Sequence, residues 1–456
     1  MNASVGKSGP GPSGTRVGAA FAAVTTLFFA WGFITSLIDP LVAAVKGIFT
    51  LTNTEAQLSA FAFFIAYGVV SFPAAALIAR LRAVPSILLA LAMMAAACLI
   101  MLVAANLATY PLVLLGLFVL ASGITILQVA ANPLAAALGD PKGSHFRLTL
   151  SQTFNSVGTF IGPFIGAALF LKGVEVKEGT VVTPEVRAAA LAGIDRAYFW
   201  ICALIVLLLA FFWWSRRTVA GAAPEPTPGK GMLALIGESL ASRWALFGGL
   251  AIFLYVGAEV SIGSQMALFL NSDAVWGLSD APFHVPLLGH AMGGGVGASG
   301  VNLEAAGKAG AFYWGGAMVG RAVGSGLLAK FDASRLLAVF AAIACAMCLY
   351  VVGVGGVSAG FVALAIGLFN SIMFPVIFTL TLERSSASEE ATSGFLCTAI
   401  IGGAFLPLLV GSVADAAGYV MALVVPTACY AVLCLFAIAA RGVQVIHEHE
   451  EPTIAH

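Results

Sequence analysis

Apolar runs of 18 or more residues recur along this 456-residue chain, and that feature narrows its possible folds more than any motif does. Inside hydrocarbon, only helices of about 20 residues or closed barrels satisfy their own backbone hydrogen bonds. The runs are too long for strands and too many for a signal peptide, so the expected class is an all-α membrane protein. Polar breaks divide the apolar sequence into six candidate helices near 19–46, 57–81, 84–105, 110–139, 146–172 and 192–215. Six more follow near 243–271, 309–331, 335–355, 357–384, 391–415 and 419–441. Composition agrees. A soluble chain carries about a quarter charged residues, whereas this one is 9% charged and 60% hydrophobic, with a mean hydropathy of +1.01.

Between the two sets of six lies the longest Pro/Gly-rich break, residues 216–242, with Arg216, Arg217 and the stretch GAAPEPTPGKG. It reads as an inter-domain hinge. The expected organisation is a disordered tail (1–18), a six-helix bundle (19–215), a linker (216–242), a second bundle (243–441) and a tail (442–456). With both termini cytoplasmic, 15 of the 21 basic residues fall on the cytoplasmic side, leaving Lys46, Lys172, Lys177, Arg187, Arg196 and Lys308 outside. That asymmetry predicts cytoplasmic termini. A net charge of zero argues against nucleic acid as a partner. The seven cysteines all sit in apolar segments with no metal-ligand spacing, and Cys345 and Cys348 read as packing residues. The odd piece is the segment from Ser272 to Lys308, with His284, His290 and the run MGGGVGASG. It follows no strand and precedes no P-loop lysine, so it reads as an outer loop. The C-terminal HEHEE reads as a solvated tail.

Against this apolar background, polar residues inside the runs point to function. The stretch from Gly123 to Pro163 holds Gln128 and Asn132, four apart, then Gln152 and Asn155, three apart. Helical periodicity puts each pair on one face, so two polar stripes are expected to confront each other inside the bundle. In the first run, Asp39 precedes Pro40, and the proline predicts a break at Asp39. An ionised carboxylate near the bilayer centre costs about 2.5 to 3.5 kcal/mol or more, so Asp39 is expected to be protonated, to face water or to hold a cation. Glu259 lies one turn after Tyr255 in the seventh run, and Asn370 sits near Pro375 in the tenth. The aromatics Trp31, Tyr67, Phe154, Tyr313, Trp314 and Phe374 share these helices. Carboxamides and carboxylates for hydroxyls, with aromatic faces for C–H surfaces, suit a neutral polyhydroxylated ligand better than an anion.

Several segments carry a resemblance: FTLTNTEAQLSAFAFFIAY, LQVAANP (127–133), HFRLTLSQTFNSVGT (145–159), YVGAEVSIGS (255–264) and FNSIMFPVIFTL (369–380). In them the chain resembles the fucose:proton symporter family of the major facilitator superfamily, in its glucose/galactose transporter branch. The resemblance runs from about Phe28 to Leu435. It implies twelve transmembrane helices in two six-helix bundles, with alternating access about a central sugar site. Residue by residue, Asp39 matches the first-helix aspartate of proton-linked sugar binding, and Gln152 and Asn155 match the sugar-facing pair. Gln128 stands where fucose-type members have a glutamate, so a proton role there is lost or moved. Glu259 matches a later glutamate of the glucose/galactose branch.

The resulting expectation is a monomeric inner-membrane carrier, embedded in the lipid bilayer, that imports a neutral hexose of the D-glucose or D-galactose type. Asp39 and Glu259 are the candidate coupling residues. Gln128, Asn132, Gln152, Asn155, Glu259, Asn370, Trp31 and Phe154 are the candidate sugar contacts. No cofactor is expected beyond the coupling ion, H⁺ or Na⁺. L-Fucose or an N-acetylhexosamine is the alternative cargo, and a non-transporting sugar sensor is the alternative class. No nucleophile with a base partner points to an enzyme.

Overall fold

A computed structural model describes residues 14–138, 144–171, 184–222, 231–277, 301–328, 330–444 and 446. His284, His290, the glycine run, HEHEE and most of both tails lie outside the described residues. Every described element is helical. Ten described spans are long and apolar enough to cross a membrane; Asn53–Leu81 and Leu303–Leu328 complete twelve passes. The first six pack on one another, as do the last six. A seam joins the halves where the second pass lies on the eleventh, the fifth on the eighth, and the latter part of the first on the seventh.

Prolines set the two breaks that matter. The first pass consists of Gly14–Ser36 and Ile38–Phe49, divided at Leu37 rather than at Asp39. Pro40 lacks the N–H that would reach the Ser36 carbonyl four residues back, so the discontinuity appears one turn before the proline. Asp39 thereby falls in the first turn of a new helix, where unpaired N–H groups favour an anion. The tenth pass repeats the device: Gly356–Asn370 ends, and Met373–Arg384 begins with Pro375 in its first turn.

Glycines govern how closely the first and fifth passes approach. Gly158, Gly162 and Gly166 recur at four-residue spacing, and a Cβ on Gly158 would stand 2.4 Å from the Phe29 carbonyl oxygen. Small residues at this period let two backbones touch. A Gly158→Ala variant will therefore lose about 1 to 3 kcal/mol by overpacking. It will melt in detergent below the parent, while Gly221→Ala, whose added Cβ meets nothing within 4 Å, will melt with it.

The described ends of the 216–242 segment are helical. The sixth pass continues as one helix, Pro184–Ala222, and a short helix, Met232–Ala241, follows. That helix is tied to the connection between the tenth and eleventh passes, where Ser239 Oγ donates to the Ala391 carbonyl at 2.7 Å and Ser388 Oγ donates to Glu238 Oε2 at 2.6 Å. The described ends of the 272–308 segment are likewise pinned together. Trp276 is fully buried and donates its indole N–H to the Val357 carbonyl at 3.1 Å. Val301 N donates to the Trp276 carbonyl at 3.0 Å, and Asn271 Nδ2 to the Val301 carbonyl at 2.8 Å.

Candidate functional site

Polar side chains gather along the seam, around the break in the first pass and around the break in the tenth. Asp39 Oδ2 accepts a hydrogen bond of 2.6 Å from the Trp314 indole N–H. The pair joins the first pass to the eighth, 275 residues along the chain. Gly263 makes room for it: a Cβ there would lie 2.9 Å from the Trp314 ring and 3.4 Å from Asp39 Oδ2. A narrow cavity lined by Asp39, Pro40, Pro163, Gly263 and Met266 opens beside the carboxylate.

The carboxamides of the first half are partly exposed. Gln152 Nε2 reaches Asn132 Oδ1 at 3.4 Å, so the fourth and fifth passes do confront each other through polar stripes. Gln128 instead donates to the Tyr67 hydroxyl at 3.0 Å, a neutral pair in which no proton is exchanged. Asn155 Nδ2 donates to the Phe28 carbonyl at 3.0 Å, which anchors it to the first pass. Trp31 is buried against Phe28, with ring centroids 4.1 Å apart.

In the second half a tyrosine network supports Glu259. The Tyr255 hydroxyl lies 2.7 Å from Glu259 Oε1 and 3.1 Å from the Asn370 carbonyl, so its one proton has two acceptors. Asn370 Nδ2 donates to the Tyr313 hydroxyl at 2.7 Å, and that hydroxyl donates to the Glu259 carbonyl at 3.2 Å. Asn370 is fully buried behind this layer, so here it supports the site from behind rather than lining it.

Two residues stand differently from their sequence-based placement. Phe154 is 45% exposed and shares an outward face with Ile165, at 41%. At about 100° per residue it points some 200° away from Gln152, so the structure does not bring it to the carboxamides. Arg321, counted above with the cytoplasmic charges, begins seven residues inside its helix and reaches into the seam. Its Nη1 donates to Ser156 Oγ at 2.7 Å and its Nε to the Ser371 carbonyl at 3.3 Å. Ser371 is the residue whose carbonyl Pro375, four positions on, leaves without a helical donor. The guanidinium also acts electrostatically on Glu259. An arginine two turns from a helix end was the available signal.

Residues 20–395 match the sequence profile of the Major Facilitator Superfamily. The chain belongs to that superfamily. It is 39% identical over 425 residues to the glucose/galactose transporter of Brucella abortus, covering 92% of this chain and 93% of that protein. It is 31% identical over 434 residues to the L-fucose-proton symporter of Escherichia coli K12, covering 91% and 92%. A crystal structure of the E. coli fucose:proton symporter matches with a TM-score of 0.65 at 26% identity, over 93% of this chain and 99% of that one. Within the superfamily the chain falls in the fucose:proton symporter family. The fold is its twelve-helix, two-bundle arrangement, and the protein is a multi-pass membrane transporter rather than an enzyme.

Proposed function

We propose that this transporter imports a neutral hexose of the D-glucose or D-galactose type by proton symport, with Asp39 as the coupling carboxylate. The observation that carries the reading is the Asp39–Trp314 hydrogen bond across the seam. A group that changes charge is there bonded directly to the opposite bundle, so its state bears on how the bundles close. Coupling requires such a difference, because a ligand with equal affinity for both conformations shifts nothing. Gln128, Asn132, Gln152 and Asn155 hold sugar hydroxyls, Trp31 offers an aromatic face, and Glu259 is a second acceptor or coupling group backed by Asn370. Proton binding at Asp39 favours sugar binding from outside, the bundles rock about the site, and release inside discharges both. The carrier acts as a monomer in the cell inner membrane with both termini cytoplasmic. The relatives support the cargo: one is a glucose/galactose transporter and another an L-fucose-proton symporter.

Labelled D-glucose uptake into proteoliposomes tests this reading, with a pH gradient and a sodium gradient imposed separately. Accumulation under the pH gradient alone is the expected result. Accumulation only with sodium would recast Asp39 as a Na⁺ ligand, and exchange competed by L-fucose rather than glucose would change the cargo. Absence of both driven uptake and exchange would sink the hexose reading.

A further inference from the structure

The segment FTLTNTEAQ opens the second pass far from the carboxamides, and the sugar site leaves it unexplained. Its backbone accounts for it. A helix begins with N–H groups that have no intrahelical acceptor. At Asn53–Leu81 a local capping box serves two donors: Glu55 N bonds Thr52 Oγ1 at 3.1 Å, and Thr52 N bonds Glu55 Oε2 at 2.8 Å. Asn53 N and Thr54 N remain. Both are taken by Asp415 of the eleventh pass, at 2.7 Å to Oδ1 and 2.8 Å to Oδ2, and Thr54 Oγ1 adds a third bond to Oδ2 at 2.6 Å.

The surroundings are built for this contact. Gly411, one turn before Asp415, lets the eleventh pass touch the second, since a Cβ there would lie 3.0 Å from both Asn53 O and Thr54 Cα. The Tyr419 hydroxyl donates to Asn53 Oδ1, and the Lys46 ammonium lies 5.9 Å from the Tyr419 ring. Beneath this layer, Ser264 Oγ donates to Gln57 Oε1 at 3.0 Å, and both residues are buried. Each of these contacts joins one bundle to the other.

We propose that Asp415 is the positioning residue of a gate at this end of the carrier: it completes the cap of the second pass from the opposite bundle and must detach each time that end opens. Asp415 is itself exposed, so water replaces the N–H partners on opening and the contact can be remade in every cycle. The proposal holds for whatever solute is carried. Only the assignment of this end to the outside rests on the orientation proposed above.

The test places a reporter beneath the latch, Ser264→Cys, and follows its labelling by a membrane-impermeant maleimide in vesicles of both orientations. Labelling of the same chains without the reporter is subtracted. Asp415→Ala should speed labelling at least tenfold. Asp415→Asn should fall between, because its carboxamide keeps one acceptor but turns a donor toward the other N–H. A faster rate in inverted vesicles would reverse the orientation and still support the latch. Equal rates, within twofold, in all three chains would overturn it. A second arm needs no change at Asp415. Thr54 Oγ1 and Ser412 Oγ are 3.2 Å apart, so Thr54→Cys with Ser412→Cys should cross-link on oxidation and stop uptake until reduced. A cross-linked carrier that transports at full rate would also overturn the proposal.

Discussion

An Asp39→Asn carrier will exchange labelled sugar across the membrane and concentrate none. Asparagine keeps the size of the side chain and an oxygen to accept the Trp314 N–H, so the bundles can still close. It has no proton to carry. With a pH gradient of one unit, a single coupled proton sustains about a tenfold accumulation, which the parent chain should approach while the variant levels off at a ratio of about one. The steady-state ratio inside proteoliposomes reads this directly. Concentrative uptake by the variant at the parent's level would remove Asp39 from the coupling role.

Arg321→Met should lower the rate of uptake about thirtyfold. The substitution keeps much of the side-chain volume and removes the donors that hold Ser156 of the fifth pass and the Ser371 carbonyl of the broken tenth. Hydrogen bonds from a charged donor contribute about 1.5 to 3 kcal/mol, and a loss of about 2 kcal/mol corresponds to that factor. Arg321→Lys should recover only part of it, because an ammonium is a point charge without the fork that spans two acceptors. Initial rates of exchange, compared at equal amounts of protein in the membrane, check both variants. Exchange by Arg321→Met within twofold of the parent would reduce the arginine to a packing residue.

The twelve passes were legible because hydrocarbon forces long, internally bonded helices, and no tertiary detail is needed to see them. The carboxamides were legible for the same local reason. Spacing alone placed Gln152 and Asn155 on one helix, facing the stripe that holds Asn132. Local periodicity cannot name a partner. It gave no sign that Asp39 would meet Trp314, that Gln128 would turn to Tyr67, or that Asn370 would be sealed behind Tyr313. Phe154 was named for sharing a helix with the carboxamides, and a shared helix does not say which face a side chain takes. The proline rule identified the break in the first pass but not its register, because the lost hydrogen bond belongs to the carbonyl four residues earlier. Arg321 was hidden by its own length. A residue counted as a terminal charge has a side chain long enough to act a turn or more away.

The pinned base of the segment between Trp276 and Val301 offers a practical handle. Chain leaves and re-enters the bundle at one hydrogen-bonded point, so the seventh and eighth passes are held in place whatever lies between. Lengthening a loop whose ends are already fixed adds little closure entropy. An epitope or a small folded tag spliced there would project from the membrane without pulling on either helix. This small transporter would thereby gain the fiducial mass that single-particle imaging requires.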